Sequence, residues 1–150
     1  MKVAIAGAGA VGRSIAQELI ANDHSVLLID KDPGSISPDR IPDAEWLLGD
    51  ACELENLENA KLEEYEVVIG ATGDDKVNLV VSLLAKTEFS VRRVVARINH
   101  PANEWLFTEA WGVDHAVSTP RVLAALVEEA VEIGDVVRQV AGAAPEGASR

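Results

Sequence analysis

The sequence predicts an α/β fold, a doubly wound parallel sheet of six strands with helices on both faces. Three observations predict it. Short apolar, β-branched runs alternate six times with segments of helical period. The first of these runs passes directly into the glycine-rich turn GAGAVG. A chain of 150 residues is also long enough for one domain that buries roughly 70% of the surface its unfolded form exposes.

Each element follows from its own residues. Lys2 to Ala6 (KVAIA) has the continuous apolar character of a strand covered on both sides. Val11, Ile15, Leu19 and Ile20 then recur at helical spacing, so residues 11 to 22 are read as a helix that Asn22-Asp23 stops. Ser25 to Asp30 (SVLLID) is a second buried strand and ends on an acid. Residues 33 to 43 hold three prolines and a glycine, which makes them a loop. Glu45 to Leu48 (EWLL) is the third strand, followed by the turn Gly49-Asp50 and a short helix from Glu53 to Lys61. Glu66 to Gly70 is the fourth strand. Lys76 to Lys86 forms a helix with Val77, Val80, Val81, Leu84 and Ala85 facing inward. Arg93 to Ile98 is the fifth strand, Ala102 to Trp111 a helix, and Val113 to Val117 the sixth strand. Ser118-Thr119-Pro120 reads as an N-cap with proline near the first turn of a helix reaching about Ile133. Right-handed crossovers then leave the Rossmann strand order 3-2-1-4-5-6 as the economical arrangement.

Composition removes several classes of function. The chain is 48% hydrophobic and 25% charged, ordinary globular usage. Lys and Arg number 13 against 25 acids, a formal charge of -12, so a nucleic-acid partner is not expected. Cys52 stands alone, which leaves no internal disulfide and no cysteine cluster for a metal. The N-terminal run is too short and glycine-rich for a signal peptide, and VNLVVSLLA is about half the length of a membrane span. A soluble, cytoplasmic domain without direct membrane insertion is the expectation.

The chemistry lies in the turns. Gly7, Gly9 and Gly12 form G-x-G-x-x-G between a strand and a helix, the context that gives this spacing its mechanism. Gly7 permits the tight turn, Gly9 lets a pyrophosphate approach the backbone, and Gly12 lets the helix pack on the strand. Ala10 and Val11 open the helix, whose free N–H groups and dipole favour an anion. Asp30 ends the second strand 18 residues beyond Gly12, near the spacing at which an acid meets the adenosine ribose hydroxyls and repels a 2′-phosphate. Lys31 and Asp32 are candidates to flank the adenine; solvated loop charges are the alternative. Asp50 and Ala51 follow strand three and Ala71, Thr72 and Gly73 follow strand four, where small residues leave room for the base and the pyrophosphate. Capping of the next helices by Asp50 and Asp74 is the competing reading. Arg97 and Asn99, at the end of strand five, are expected to face the same crevice, Arg97 as a phosphate or dinucleotide contact or as a rim salt bridge. Arg13 is a weaker phosphate candidate.

No catalytic set accompanies this site. His24, His100 and His115 pair in sequence with no acid, serine or lysine of a known constellation, Tyr65 lies in a loop, and Cys52 reads as a packed residue. No metal site is expected.

Taken in order, GAGAVG, LIDKD, GDA, ATGDDKVNLVVSLLAK, ARINHPANEWLF and GVDHAVSTP resemble the RCK N-terminal (TrkA-N) domain of the Trk/Ktr potassium-uptake regulatory proteins, over about residues 1 to 135. The resemblance implies a nucleotide-binding domain at 1–135, with the chain ending before the family's usual C-terminal ligand-binding domain; residues 136–150, which finish on the small, polar, Pro/Gly-containing AGAAPEGASR, read as a linker or disordered tail. It implies a cytoplasmic regulatory subunit, peripheral at the inner face of the membrane through a potassium-translocating subunit. Such domains bind NAD(H), ATP, ADP or AMP and form homo-oligomers, from dimers to tetramers or octameric rings. Gly7, Gly9, Gly12, Asp30, Asp50, Thr72 and Gly73 correspond to nucleotide-contacting positions. Arg97, Asn99 and Asn103 belong to the family's ARxNxP segment. Ala10 stands where the Ktr branch commonly has an arginine reaching a neighbouring subunit's nucleotide, as in the Trk branch. The final helix matches a crossover helix whose apolar side (Val122, Leu123, Leu126, Val127, Ala130) packs on a partner. A nucleotide sensor is the preferred reading. A small NAD-dependent dehydrogenase, or its cofactor half, and a dimerisation module with a vestigial pocket are the alternatives.

Overall fold

The computed structural model describes residues 1–118, 124, 126–131 and 138–140. The chain divides into two units, Met1–Ser118 and Thr119–Arg150.

In the first unit six strands form one all-parallel sheet: β1 (Lys2–Ala6), β2 (Ser25–Asp30), β3 (Glu45–Leu48), β4 (Val67–Gly70), β5 (Arg93–Ile98) and β6 (His115–Ser118). Their order is β3-β2-β1-β4-β5-β6, the Rossmann arrangement. The central strand β1 pairs with β2, Ala6 opposite Ile29, and with β4, Ala6 opposite Gly70. Strand order therefore reverses beside β1, and a crevice opens there beyond the strands' C-terminal ends.

Alternation along β1 explains why both faces are covered. Val3 and Ile5 point to one side, where they pack with Val26, Leu28 and Ala16 of the helix α1 (Ala10–Ala21). Ala4 and Ala6 point to the other, beneath Leu57 of α2 (Leu54–Asn59) and Val81 and Ala85 of α3 (Asp75–Thr87). A third cluster, Leu79, Ala96, Ile98, Phe107 and Val113, closes the β5 end. Asp74 caps α3 by accepting from the Lys76 amide at 2.9 Å, while Asp75 in the first turn and Lys86 in the last suit the helix dipole. Lys86 also pairs with Asp114 at 2.7 Å. Burial pushes the Asp114 carboxyl up, but Lys86 and the Val94 amide outweigh it and hold it below its ordinary range.

Three sequence expectations change. The helix expected at 102–111 is two 3₁₀ turns, Pro101–Leu106 and Glu109–Trp111. Phe107, only 6% exposed, drops into the third cluster, and the extended backbone of Thr108 that follows prevents a continuous helix. The sixth strand starts at His115 because Val113 is spent in the core and Asp114 on Lys86 and the Val94 amide. On α3, Val77, Val80 and Leu84 are only half-buried, whereas polar Asn78 and Ser82 are fully buried. The loop at 33–43 contains a 3₁₀ turn at Pro33–Ser35, and Tyr65 is buried before β4, where burial followed by Glu45 and Glu64 raises its phenol pKa.

In the second unit Ala124, residues 126–131 and residues 138–140 are helical and exposed, Leu126, Val127 and Val131 among them. The expected cap at Thr119-Pro120, Val122 and Leu123 of the crossover face, and the tail 141–150 lie outside the described residues. Ser118 itself ends β6. Among the described residues no helix is long and apolar enough to cross a membrane.

Candidate nucleotide site

The crevice at the strand-order reversal has a volume of about 540 Å³, within the range of small-ligand sites. One wall is the β1–α1 turn. Gly7 has φ +110°, and a Cβ there would lie 2.9 Å from the carbonyl carbon of Ala71. A Cβ on Gly12 would meet the Gly7 carbonyl oxygen at 1.8 Å, so Gly12 serves packing and lies behind the crevice. Gly9 differs from both: a Cβ there meets no protein atom within 4 Å and would project into open space. Gly7, Gly9, Ala10 and Val11 line the crevice.

Gly9 is also the N-cap of α1, with no side-chain cap and no acid in the first turn. Arg13 makes the first intrahelical bond, its amide donating to Gly9 O at 2.9 Å. The amides of Ala10, Val11 and Gly12 are therefore left without an intrahelical acceptor, at the positive end of the dipole. Arg13 does not reach into the crevice; its guanidinium donates to the Ala8 carbonyl at 2.9 Å and braces the turn from behind.

Asp30 ends β2 opposite this turn. One carboxylate oxygen accepts from the Ala8 amide and the other from the Asp32 amide, each at 2.9 Å. A carboxylate has about four lone-pair sites, so each oxygen keeps acceptor capacity toward the crevice while the carboxylate locks the glycine turn to β2. Lys31 also lines the crevice. Asp32 instead caps the 3₁₀ turn, accepting from the Gly34 amide. Asp50 and Ala51 form the floor after β3. Asp50 accepts from the Cys52 amide at 2.8 Å and closes its own turn, while the cap position of α2 belongs to Glu53. Burial, reinforced by Asp50, raises the Cys52 thiol to about 11, which makes it a neutral packed group.

The second wall is the β4–α3 turn, where Ala71, Thr72 and Gly73 line the crevice and a Cβ on Gly73 would again meet open space. Arg97 lines the crevice from the end of β5, while its Nε is buried without a hydrogen-bond partner. Asn99 is not in the lining. Its side chain turns away, donating to the Thr72 carbonyl at 2.9 Å and to Asp75 at 3.1 Å. None of the three histidines lines the crevice: His24 meets the N-terminal amine, and His100 and His115 are exposed. Among the described residues no group of His, Cys, Asp and Glu is placed to hold a metal.

Sequence reasoning missed the support of this wall. Asn78 is fully buried; its Oδ1 accepts from the Thr72 amide and hydroxyl, and its Nδ2 donates to the carbonyls of Thr72 and Arg97. Asp75, 5% exposed, accepts from the amides of Asn99 and His100 and from the side chains of Asn99 and Asn103. Burial pushes its carboxyl up, but these donors together hold it below its ordinary value. Asp75, Asn78 and Ser82 fall three and four residues apart, on the face that also carries Leu79 and Ala85. A polar stripe at core spacing is the signal that would have found them.

The donors and spaces present fit a nucleotide: a helix N-terminus and the cationic residue Arg97 for phosphate, open space at Gly9 and Gly73 for close approach, and a carboxylate for a ribose diol. Residues 3–119 match the model of the TrkA-N domain family. Over 138 residues the chain is 66% identical to the Trk system potassium uptake protein TrkA of Mycobacterium tuberculosis; the match covers 92% of this chain and 63% of that protein. The chain thus spans less than two thirds of that relative's length. Among solved structures, the GsuK channel bound to NAD superimposes with a TM-score of 0.73 at 30% identity, covering 87% of this chain and 23% of that one. GsuK bound to ADP gives 0.71 at 30% identity, covering 85% and 32%. The TrkA-N domain of the inner membrane protein ybaL from Escherichia coli gives 0.77, covering 85% and 94%, and at 21% identity is a likeness of fold.

Proposed function

The chain belongs to the TrkA-N domain family, and from that premise we propose that it is the nucleotide-sensing domain of a regulatory subunit for potassium uptake, binding NAD(H), ATP, ADP or AMP in the β1–α1/β4–α3 crevice. The observation that carries this reading is the pairing of an uncapped helix N-terminus at Gly9 with the cationic residue Arg97, both lining one crevice. NAD and ADP bound to GsuK, a channel of related sequence, support the ligand class. The Mycobacterium tuberculosis relative supports the potassium-uptake context.

In this reading the bound nucleotide supplies phosphate charge and a ribose diol, and the chain supplies their receptors. Ala10 and Val11 present amides to phosphate, Arg97 adds charge, and Asp30 accepts from the diol and repels a 2′-phosphate. Lys31, Asp50 and Ala51 border the base, and Ala71, Thr72 and Gly73 the ribose and phosphates. The nucleotide is a signal: it biases the arrangement of two or more copies, and through them a membrane potassium-translocating subunit, only by its difference in affinity between states. The domain acts at the cytoplasmic side of the membrane through that partner. The relatives' naming as potassium uptake proteins supports a sensor over a dehydrogenase.

Calorimetric titration of the purified chain with ADP and NAD tests the reading. A dissociation constant below 1 mM, with NADP at least tenfold weaker than NAD, is expected, about 1.4 kcal/mol of discrimination. No heat with any adenine nucleotide at millimolar concentration overturns it.

A further inference from the structure

Beyond the lining residues, one buried side chain touches no part of the crevice yet controls two groups that do. Asp75 opens α3, only 5% exposed, and among the described residues no salt bridge pairs its carboxylate with a cation. Its partners are donors drawn from a segment 24 to 28 residues away: the Asn99 amide at 2.7 Å, the Asn99 side chain at 3.1 Å, the His100 amide at 3.0 Å and the Asn103 side chain at 2.9 Å. An ionised carboxylate only accepts, so it dictates that both asparagines present their NH₂ groups to it.

That choice carries into the crevice. Asn99 Nδ2, held by Asp75, also donates to the Thr72 carbonyl at 2.9 Å. The same carbonyl receives Asn78 Nδ2 at 3.0 Å, and Asn78 Nδ2 donates in addition to the Arg97 carbonyl at 2.9 Å. Thr72, in the turn after β4, and Arg97, on the neighbouring strand β5, both line the crevice. We infer that Asp75 is a positioning residue for nucleotide binding: through Asn99 it fixes the Thr72-Gly73 turn and its relation to Arg97, so that the wall facing the glycine turn is preformed. A merely structural acid would be expected to bond its own helix or a cation. Among the described residues this one bonds only Asn99, His100 and Asn103, at and just beyond the end of the arginine strand. The low carboxyl pKa agrees, because the site is built for the charged form. The inference rests on the nucleotide reading.

The experiment compares the full chain with Asp75→Asn, Asn103→Ala and the exchange variant Asp75→Asn/Asn103→Asp, measuring ADP and NAD affinity by calorimetry beside thermal unfolding. Asp75→Asn turns a donor toward donors and is expected to weaken ADP at least tenfold at a temperature where both proteins are folded. The exchange variant restores an acceptor opposite the new amide and should recover at least threefold of that loss. Asn103→Ala, which removes one bond and leaves the carboxylate, should weaken ADP two- to fourfold and keeps the test decisive if Asp75→Asn does not fold. Affinity within twofold of the parent in folded Asp75→Asn, an exchange variant no better than the single one, or unchanged affinity in Asn103→Ala with Asp75→Asn unfolded, each overturns the inference. Failure of the parent chain to bind ADP and NAD overturns the nucleotide reading itself and this inference with it.

Discussion

The two walls of the crevice are built by opposite means. The β1–α1 wall is shaped by missing atoms: Gly7 and Gly12 interlock so closely that a single Cβ would collide with backbone, and Gly9 is bare toward the space beyond. The β4–α3 wall is shaped by added atoms, a lattice of amides and carboxylate in which Asn78, Asn99 and Asp75 hold Thr72 and Arg97. A wall defined by absence depends on a few positions and tolerates almost no substitution. One defined by hydrogen bonds distributes its support, so each loss is partial and can be complemented from the other side.

The sharpest test of that contrast is Gly12→Ala. With the Gly7 oxygen 1.8 Å from the new Cβ, the helix must lift off the strand, and a loss on the order of 4 kcal/mol or outright failure to fold is expected. Thermal unfolding checks it; a midpoint within about 3 °C of the parent would refute the interlock. Next in size is Asn78→Ala on the opposite wall. It strands the Thr72 amide and removes donors from two carbonyls, costing about 2–3 kcal/mol. Because Asn99 still holds Thr72, the variant should fold, with an unfolding midpoint lower by roughly 4–12 °C. The smallest effect on stability is predicted for Gly9→Ala, less than about 1 kcal/mol, since the new methyl meets no protein atom. Its ADP affinity should nevertheless fall tenfold or more by calorimetry. Unchanged affinity would mean that phosphate does not approach Gly9.

How much of this was legible in the sequence follows the same division. Strands β1, β2, β3 and β5 have the boundaries that their apolar runs indicate, because a buried parallel strand writes its own continuous pattern. Spacing alone separates Gly7 and Gly12, the turn and packing positions, from Gly9, which faces open space, and the end of β2 places Asp30 at the crevice. Less was visible where the chain is short of pattern. The segment 101–111 carries enough helix formers to read as one helix, yet Phe107 finds more to bury in the cluster with Leu79 and Val113 than a helix would let it reach. Asn99 looks from the sequence like a second crevice residue beside Arg97, but two residues along a strand end is also where the chain leaves the sheet, and its side chain turns toward Asp75.

The sequence by itself determined the alternation of elements, the strand order that right-handed crossovers permit, and the glycine turn, because each of these is governed by local period and by the space a single residue occupies. Tertiary structure alone decided what Asp75, Asn78 and Asn99 do. Their roles depend on which partners the fold brings within 3 Å across 19 to 27 residues of chain, and side-chain-to-backbone hydrogen bonds between residues so far apart leave no periodicity to read.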